Sequence, residues 1–204
     1  MTLIPDISNW ISPYTLFPAA YLLGSINFAI LLFKVLGKAD PREGCSGNPG
    51  TTNVYRLAGL PWAIVVFLLD VGRAVLIAWI ALHYLPVGLV TWAGLFLILG
   101  NRFPCFHGFK GGKGVANYLG FSAVISLWAA VVSGICWLIV NRILKIPFIA
   151  SFTMVTILAI GTILELSGSP GAATGTILTV LLIVYSHKSN IQSHFLNRKS
   201  GGAS

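Results

Sequence analysis

Three short segments hold most of the residues that could do chemistry, and all three suit an anionic substrate. The first, GCSGNPGTTNVYR at 44–56, has three glycines and Pro49, which forbid a regular helix, and its donors are Ser46, Asn48, Thr51, Thr52 and Asn53. Exposed N–H groups on such a backbone form an anion-binding concavity. Thr51 or Thr52 is expected to cap a short helix running to Ala58, whose N-terminus would also favour phosphate, with Arg56 one turn in. A plain connector is the blander reading, but connectors seldom need so many residues. The second segment, GFKGGKGVAN at 108–117, resembles a nucleotide phosphate loop. The Walker pattern fails where His107 replaces Gly and Gly114 replaces Ser or Thr, so a nucleotide triphosphatase is excluded. Lys110, Lys113, the Gly111–Gly112 pair, Gly114 and a following helix start still attract phosphate. A basic loop touching anionic lipid needs charge but no special backbone. The third, HKSNI at 187–191, places His187 and Asn190 three apart on one helix face; a solvated helix end is the alternative.

Other chemistry finds little support. No His has an Asp five positions on, so the His-x-x-x-x-Asp acyltransferase pattern is missing. GCSG is not a serine-hydrolase elbow. Cys45, Cys105 and Cys136 are scattered and lack zinc or disulfide spacing, and we expect no metal and no cofactor. Asp70 and Arg73, three apart in an apolar stretch, suit a structural ion pair facing the interior at least as well as catalysis.

The elements that must position these segments are membrane helices. Of 204 residues, 56% are hydrophobic and only 9% charged, against about 25% in soluble domains. Mean hydropathy is +0.85. The expectation is an all-α polytopic bundle forming one integral membrane domain over 1–204, with motif segments near 38–58, 101–114 and 186–198. Helices are expected at about 14–36, 61–83, 88–100, 147–165 and 172–186. The MTLIPDISNW start carries no Lys or Arg, so no cleaved signal peptide is expected.

The net charge of +8 sets the topology. Every Lys and Arg except Arg73 falls in one of four clusters, around 34–56, 102–113, 142–145 and 188–199. The positive-inside rule explains this better than nucleic-acid binding does, and makes all four cytoplasmic. Residues 115–141 must then cross twice, as two short helices of about 13 residues meeting near 122–126, sheltered by neighbours. About seven helices result, with the N-terminus out and the C-terminus in.

The segments YLLGSINFAILL, DPREGCSGNPGTTNVYRLAG, FPCFHGFKGGKGVAN and HKSNI, in this order, resemble the PlsY family of bacterial membrane glycerol-3-phosphate acyltransferases that use acyl phosphate. The resemblance implies a seven-helix bundle in the cell inner membrane with its active site facing the cytoplasm. It implies transfer of a fatty acyl group from acyl phosphate to glycerol 3-phosphate, giving lysophosphatidic acid, the first step of phospholipid synthesis. An enzyme producing acyl phosphate is then an expected partner. Ser46, Thr52 and Arg56 match the family's phosphate site, with Asn48 and Asn53 in the same loop. Lys110 and Lys113 match the glycine-rich loop, and His187 and Asn190 the last motif. We expect His187, Lys113 and Asn190 to be catalytic, and Ser46, Asn48, Thr52, Asn53, Arg56, Lys110, Gly111, Gly112 and Gly114 to bind substrate.

Departures accompany the resemblance. Cys45 stands where the family has Gly, Asn101 where it has His, and Arg73 where it has Lys. A Ser is expected near Phe148, and Ser189 alters the last motif. A relative with another acceptor, a non-catalytic relative and a small-anion or lipid-phosphate transporter are the alternatives. A transporter calls for midplane charges on broken helices; Asp70 and Arg73 alone qualify.

Overall fold

The computed structural model describes residues 11–201, with side chains to 196, and the expectation about a signal peptide lies outside them. Ten helices follow in chain order among the described residues: α1 (Pro13–Ser25), α2 (Phe28–Val35), α3 (Thr51–Ala58), α4 (Leu60–Tyr84), α5 (Val87–Arg102), α6 (Val115–Ile125), α7 (Leu127–Leu144), α8 (Pro147–Glu165), α9 (Pro170–Ser186) and α10 (Lys188–Gly201). No strand occurs among those residues.

Five segments are long and apolar enough to cross a bilayer, taking α1–α2 as one. α9 also qualifies when counted with α10, to which it is bent by 46°, and α6 is a shorter apolar helix. With α6 and α9, the bundle has the seven apolar segments expected. The surface confirms its solvent: Leu68, Trp79, Ile135, Ile160 and Leu181 are all exposed, while Ala20, Ala74, Ala78, Ala93 and Ala129 are buried. Small residues let backbones approach closely where lipid offers no hydrophobic drive between helices. A Cβ on Gly24 would lie 2.1 Å from the Leu97 carbonyl oxygen, and one on Gly100 would lie 2.0 Å from that of Tyr21, so α1 and α5 meet backbone to backbone.

Two boundaries differ from expectation. The helix expected over 14–36 is broken at Ile26–Asn27. Asn27 caps α2 by accepting from the Ile30 N–H at 3.0 Å, and the Arg73 guanidinium takes the carbonyls of Leu23, Gly24 and Ile26 that the break releases. The 115–141 stretch does divide, at Ser126, but unequally: α6 has 11 residues and α7 has 18. The short helix is sheltered, since a Cβ on Gly120 would lie 2.5 Å from the Val71 carbonyl oxygen on α4 and Tyr118 and Phe121 are buried.

Candidate active site

The 36–50 loop is organised by a single amide. Asn53, on α3 and 1% exposed, donates through Nδ2 to the carbonyls of Pro41 and Gly44. Its Oδ1 accepts from both the amide and the hydroxyl of Ser46. All four hydrogen-bonding places of the side chain are thus used on the loop itself, which makes Asn53 a positioning group. The chain turns at Cys45 (φ 50°) and Gly47 (φ 64°) to reach α3. Neither threonine caps α3: its N-cap is Gly50, in extended conformation, which leaves the first turn without a side-chain cap. Arg42 pairs with Asp40 at 2.7 Å and donates to the carbonyls of His107 and Lys110, stapling the first loop to the second. That pairing holds the Asp40 carboxyl below its ordinary range.

The glycine-rich loop is pressed against α5. The Gly112 amide donates to the Asn101 carbonyl at 2.9 Å and the Gly111 amide to that of Arg102 at 3.2 Å. A Cβ on Gly111 would lie 2.0 Å from the Asn101 carbonyl oxygen, and Gly114 sits at φ +82° against Ile98. These glycines are therefore explained by packing, and the two N–H groups expected to cradle phosphate are already engaged. The amides of Lys113 and Gly114 have no protein acceptor among the described residues. Lys110 and Gly111 line a neighbouring polar groove with Asp40, Glu43, Arg102 and His107, and do not line the cavity that takes in Lys113.

That cavity, of about 460 Å³, collects the remaining expected residues: Ser46, Asn48, Thr52, Asn53, Arg56, Gly112, Lys113, Gly114, His187 and Asn190. Pro147 and Phe148, at the start of α8 just after the 142–145 basic cluster, line it too. Lys113 donates to Asn190 Oδ1 across 77 residues of sequence. Burial, and then the charges of Arg102 and Arg56, push the Lys113 ammonium down to about 8. His187, the residue capping α9, is 2% exposed, and its Nδ1 donates to the Ile183 carbonyl at 2.8 Å. A carbonyl only accepts, so Nδ1 carries the proton and Nε2 keeps its lone pair. Burial first, with Lys113 and Arg102 adding to it, lowers His187 to about 4. The polar end is thus short of negative charge and holds a neutral imidazole.

The expected Asp70–Arg73 ion pair forms and is buried, but sequence reasoning missed the asparagines that Arg73 also holds. Arg73 donates to Asn117 Oδ1 at 2.8 Å, to Asn101 Oδ1 at 3.0 Å and to Asp70 Oδ1 at 2.7 Å. Asp70, Asn101 and Asn117 all line the cavity. Polar side chains inside apolar stretches were the available signal. Asn101 thus has a structural task here, and Ser151, one turn beyond Phe148, lines the cavity as well. The rest of the lining is apolar, with Phe67 of α4, Leu119 of α6, Trp137 and Leu138 of α7, and Met154 of α8. A basic, polar head joined to an apolar tract suits a molecule with an anionic group and a hydrocarbon tail.

Residues 14–197 match the family model described as glycerol-3-phosphate acyltransferase. The chain is 39% identical over 175 residues to a glycerol-3-phosphate acyltransferase of Methylobacillus flagellatus, covering 85% of this chain and 89% of that one. It is 35% identical over 183 residues to the glycerol-3-phosphate acyltransferase of Pseudomonas aeruginosa, covering 88% and 94%. Among solved structures, it superposes on PlsY (YgiH), an integral membrane glycerol 3-phosphate acyltransferase, in its glycerol 3-phosphate form with a TM-score of 0.84 at 34% identity, covering 92% of this chain and 94% of that one. The lysophosphatidic acid form of that protein gives a TM-score of 0.80.

Proposed function

Because this chain belongs to the glycerol-3-phosphate acyltransferase family, we propose that it moves a fatty acyl group from acyl phosphate to the hydroxyl of glycerol 3-phosphate, yielding lysophosphatidic acid and inorganic phosphate. The observation that carries this reading is the cavity itself, whose lining brings Arg56, Lys113 and His187 together with Phe67, Leu138 and Met154.

An acyl phosphate is already an activated anhydride, so positioning and charge stabilisation supply the catalysis. Arg56, Ser46, Asn48 and Thr52 hold the phosphate of glycerol 3-phosphate. Lys113, oriented by Asn190, and the free amides of Lys113 and Gly114 hold the donor phosphate and disperse its charge as it leaves. The glycerol hydroxyl oxygen attacks the acyl carbonyl carbon, a new ester C–O bond forms, and the anhydride C–O bond breaks with its electrons going to phosphate. His187 Nε2 takes the hydroxyl proton and returns it to the departing phosphate. Asn53 acts through the loop it ties. Lys110 and Gly111, in the adjoining groove, have no direct part in this scheme.

The basic end faces the cytoplasm of a bacterial inner membrane in this reading, where the positive-inside rule puts its Lys and Arg. A soluble or peripheral enzyme making acyl phosphate supplies the donor there. The test is purified protein with palmitoyl phosphate and labelled glycerol 3-phosphate, without acyl-CoA or acyl carrier protein. Labelled lysophosphatidate is expected; its absence with folded protein overturns the reading.

A further inference from the structure

Glycine inside a helix costs about 0.5–1 kcal/mol relative to alanine, so each one calls for a reason. Most helix glycines here have one in a close contact. A Cβ would lie 2.0–2.5 Å from a neighbouring atom at Gly24, Gly100, Gly120, Gly161 and Gly175. Among the described residues, only Gly72 and Gly134 lie within a helix with nothing within 4 Å of an added Cβ. Gly72 is exposed on the lipid side of α4 and lines no cavity. Gly134 is different: it is in the middle of α7 and lines the site cavity.

The neighbourhood gives the open space a use. Gly134, Trp137 and Leu138 are three and four residues apart, so they form one stripe of α7 facing the cavity. Leu138 is 63% exposed on the lipid surface while also lining the cavity, so the apolar end opens sideways into the bilayer there. α7 packs on α8 and α6, and Phe67 of α4 stands on the cavity's other side. Gly134 lies about 15 Å along α7 from the Leu144 end, which adjoins the polar site.

We propose that Gly134 is a specificity-determining residue for the acyl donor, the missing side chain leaving a track for the distal part of a long chain. A short chain ends before this level, and a long one passes it. The inference rests on the acyl-phosphate reading above.

The experiment compares kcat/KM for palmitoyl phosphate and octanoyl phosphate in the wild type, Gly134→Ala and Gly134→Leu, at fixed saturating glycerol 3-phosphate. Gly134→Leu is expected to lower the palmitoyl value about tenfold or more, the loss expected when two methylenes forfeit their groove, and to leave the octanoyl value within about threefold. Gly134→Ala, which suits a helix better and so folds, is expected to shift the palmitoyl-to-octanoyl ratio in the same direction by about two- to threefold. The glycerol 3-phosphate KM stays unchanged. An unaltered ratio in Gly134→Ala, or equal losses with both donors in Gly134→Leu, overturns the proposal. A wild type that turns over neither donor sinks the acyl-phosphate reading instead, so the two failures are distinguishable.

Discussion

Of the cations in the first basic segment, Arg56 is the one that lines the cavity, and Arg42 is committed to Asp40 and to the carbonyls of His107 and Lys110. Arg56 is exposed, and a hydrogen bond to a charged group contributes about 1.5–3 kcal/mol. Arg56→Ala is therefore expected to lower kcat/KM for glycerol 3-phosphate by about 10- to 150-fold, measured at saturating acyl phosphate. Lys110→Ala, altering the adjoining groove, is expected to cost less than tenfold in the same assay, and a larger loss would place Lys110 at the substrate. Lys113 sets the alkaline limit. Its folded value of about 8 means the ammonium is present below that pH and lost above it. The pH profile of kcat/KM is expected to fall above about pH 8, and Lys113→Arg to move that limb upward. His187, at about 4, is already neutral across pH 6–8. An acid limb near 6 then belongs to the second ionisation of substrate phosphate, whose pKa is about 6, and persists in His187→Gln at reduced rate.

The elements show why such residues come together and how far a linear reading reaches them. Helix spans were legible because uncharged stretches bounded by Pro, Gly and basic residues mark them, and α4, α5, α8 and α9 begin and end within about two residues of expectation. The break between α1 and α2 was not legible, because the carbonyls it frees are satisfied by Arg73, 47 to 50 residues away. The same limit separated Lys113 from Lys110. Three residues apart on a loop, they are directed by the packing of Gly111 and Gly112 on Asn101, which no spacing encodes. Asn53 looked like one more donor, but its position beneath the loop makes it the knot. One element-scale prediction follows from the loop's backbone. Cys45 holds φ +50°, a left-handed conformation costing a non-glycine residue about 1–2 kcal/mol. Cys45→Gly, which removes that steric cost, is expected to raise the thermal unfolding midpoint in detergent without lowering activity. Gly100→Val, placing a Cβ against the Tyr21 carbonyl, is expected to destabilise the bundle by about 1–3 kcal/mol or more in the same measurement.

At the scale of the whole molecule, residues of the first, second and fourth basic segments line one cavity, and Pro147 and Phe148, just after the third, line it too; the positive-inside expectation puts all four on one side of the membrane. In a variant lacking native cysteines, thiols placed singly at positions 45 and 145 are expected to react with an impermeant reagent only from the cytoplasmic side. Labelling of position 145 from outside would require the α6–α7 pair to cross once. The cavity's lining, meanwhile, includes exposed polar residues, Ser46, Thr52 and Arg56, and the exposed Leu138 of a bilayer-length helix, so it is within reach of both water and lipid. The two substrates are therefore counted in different units. Glycerol 3-phosphate is sensed as moles per litre, and the acyl donor as a mole fraction of the surface in which the protein sits. Adding inert micellar detergent at constant total donor is expected to slow turnover by thinning the donor in two dimensions, while leaving the half-saturating glycerol 3-phosphate concentration where it was.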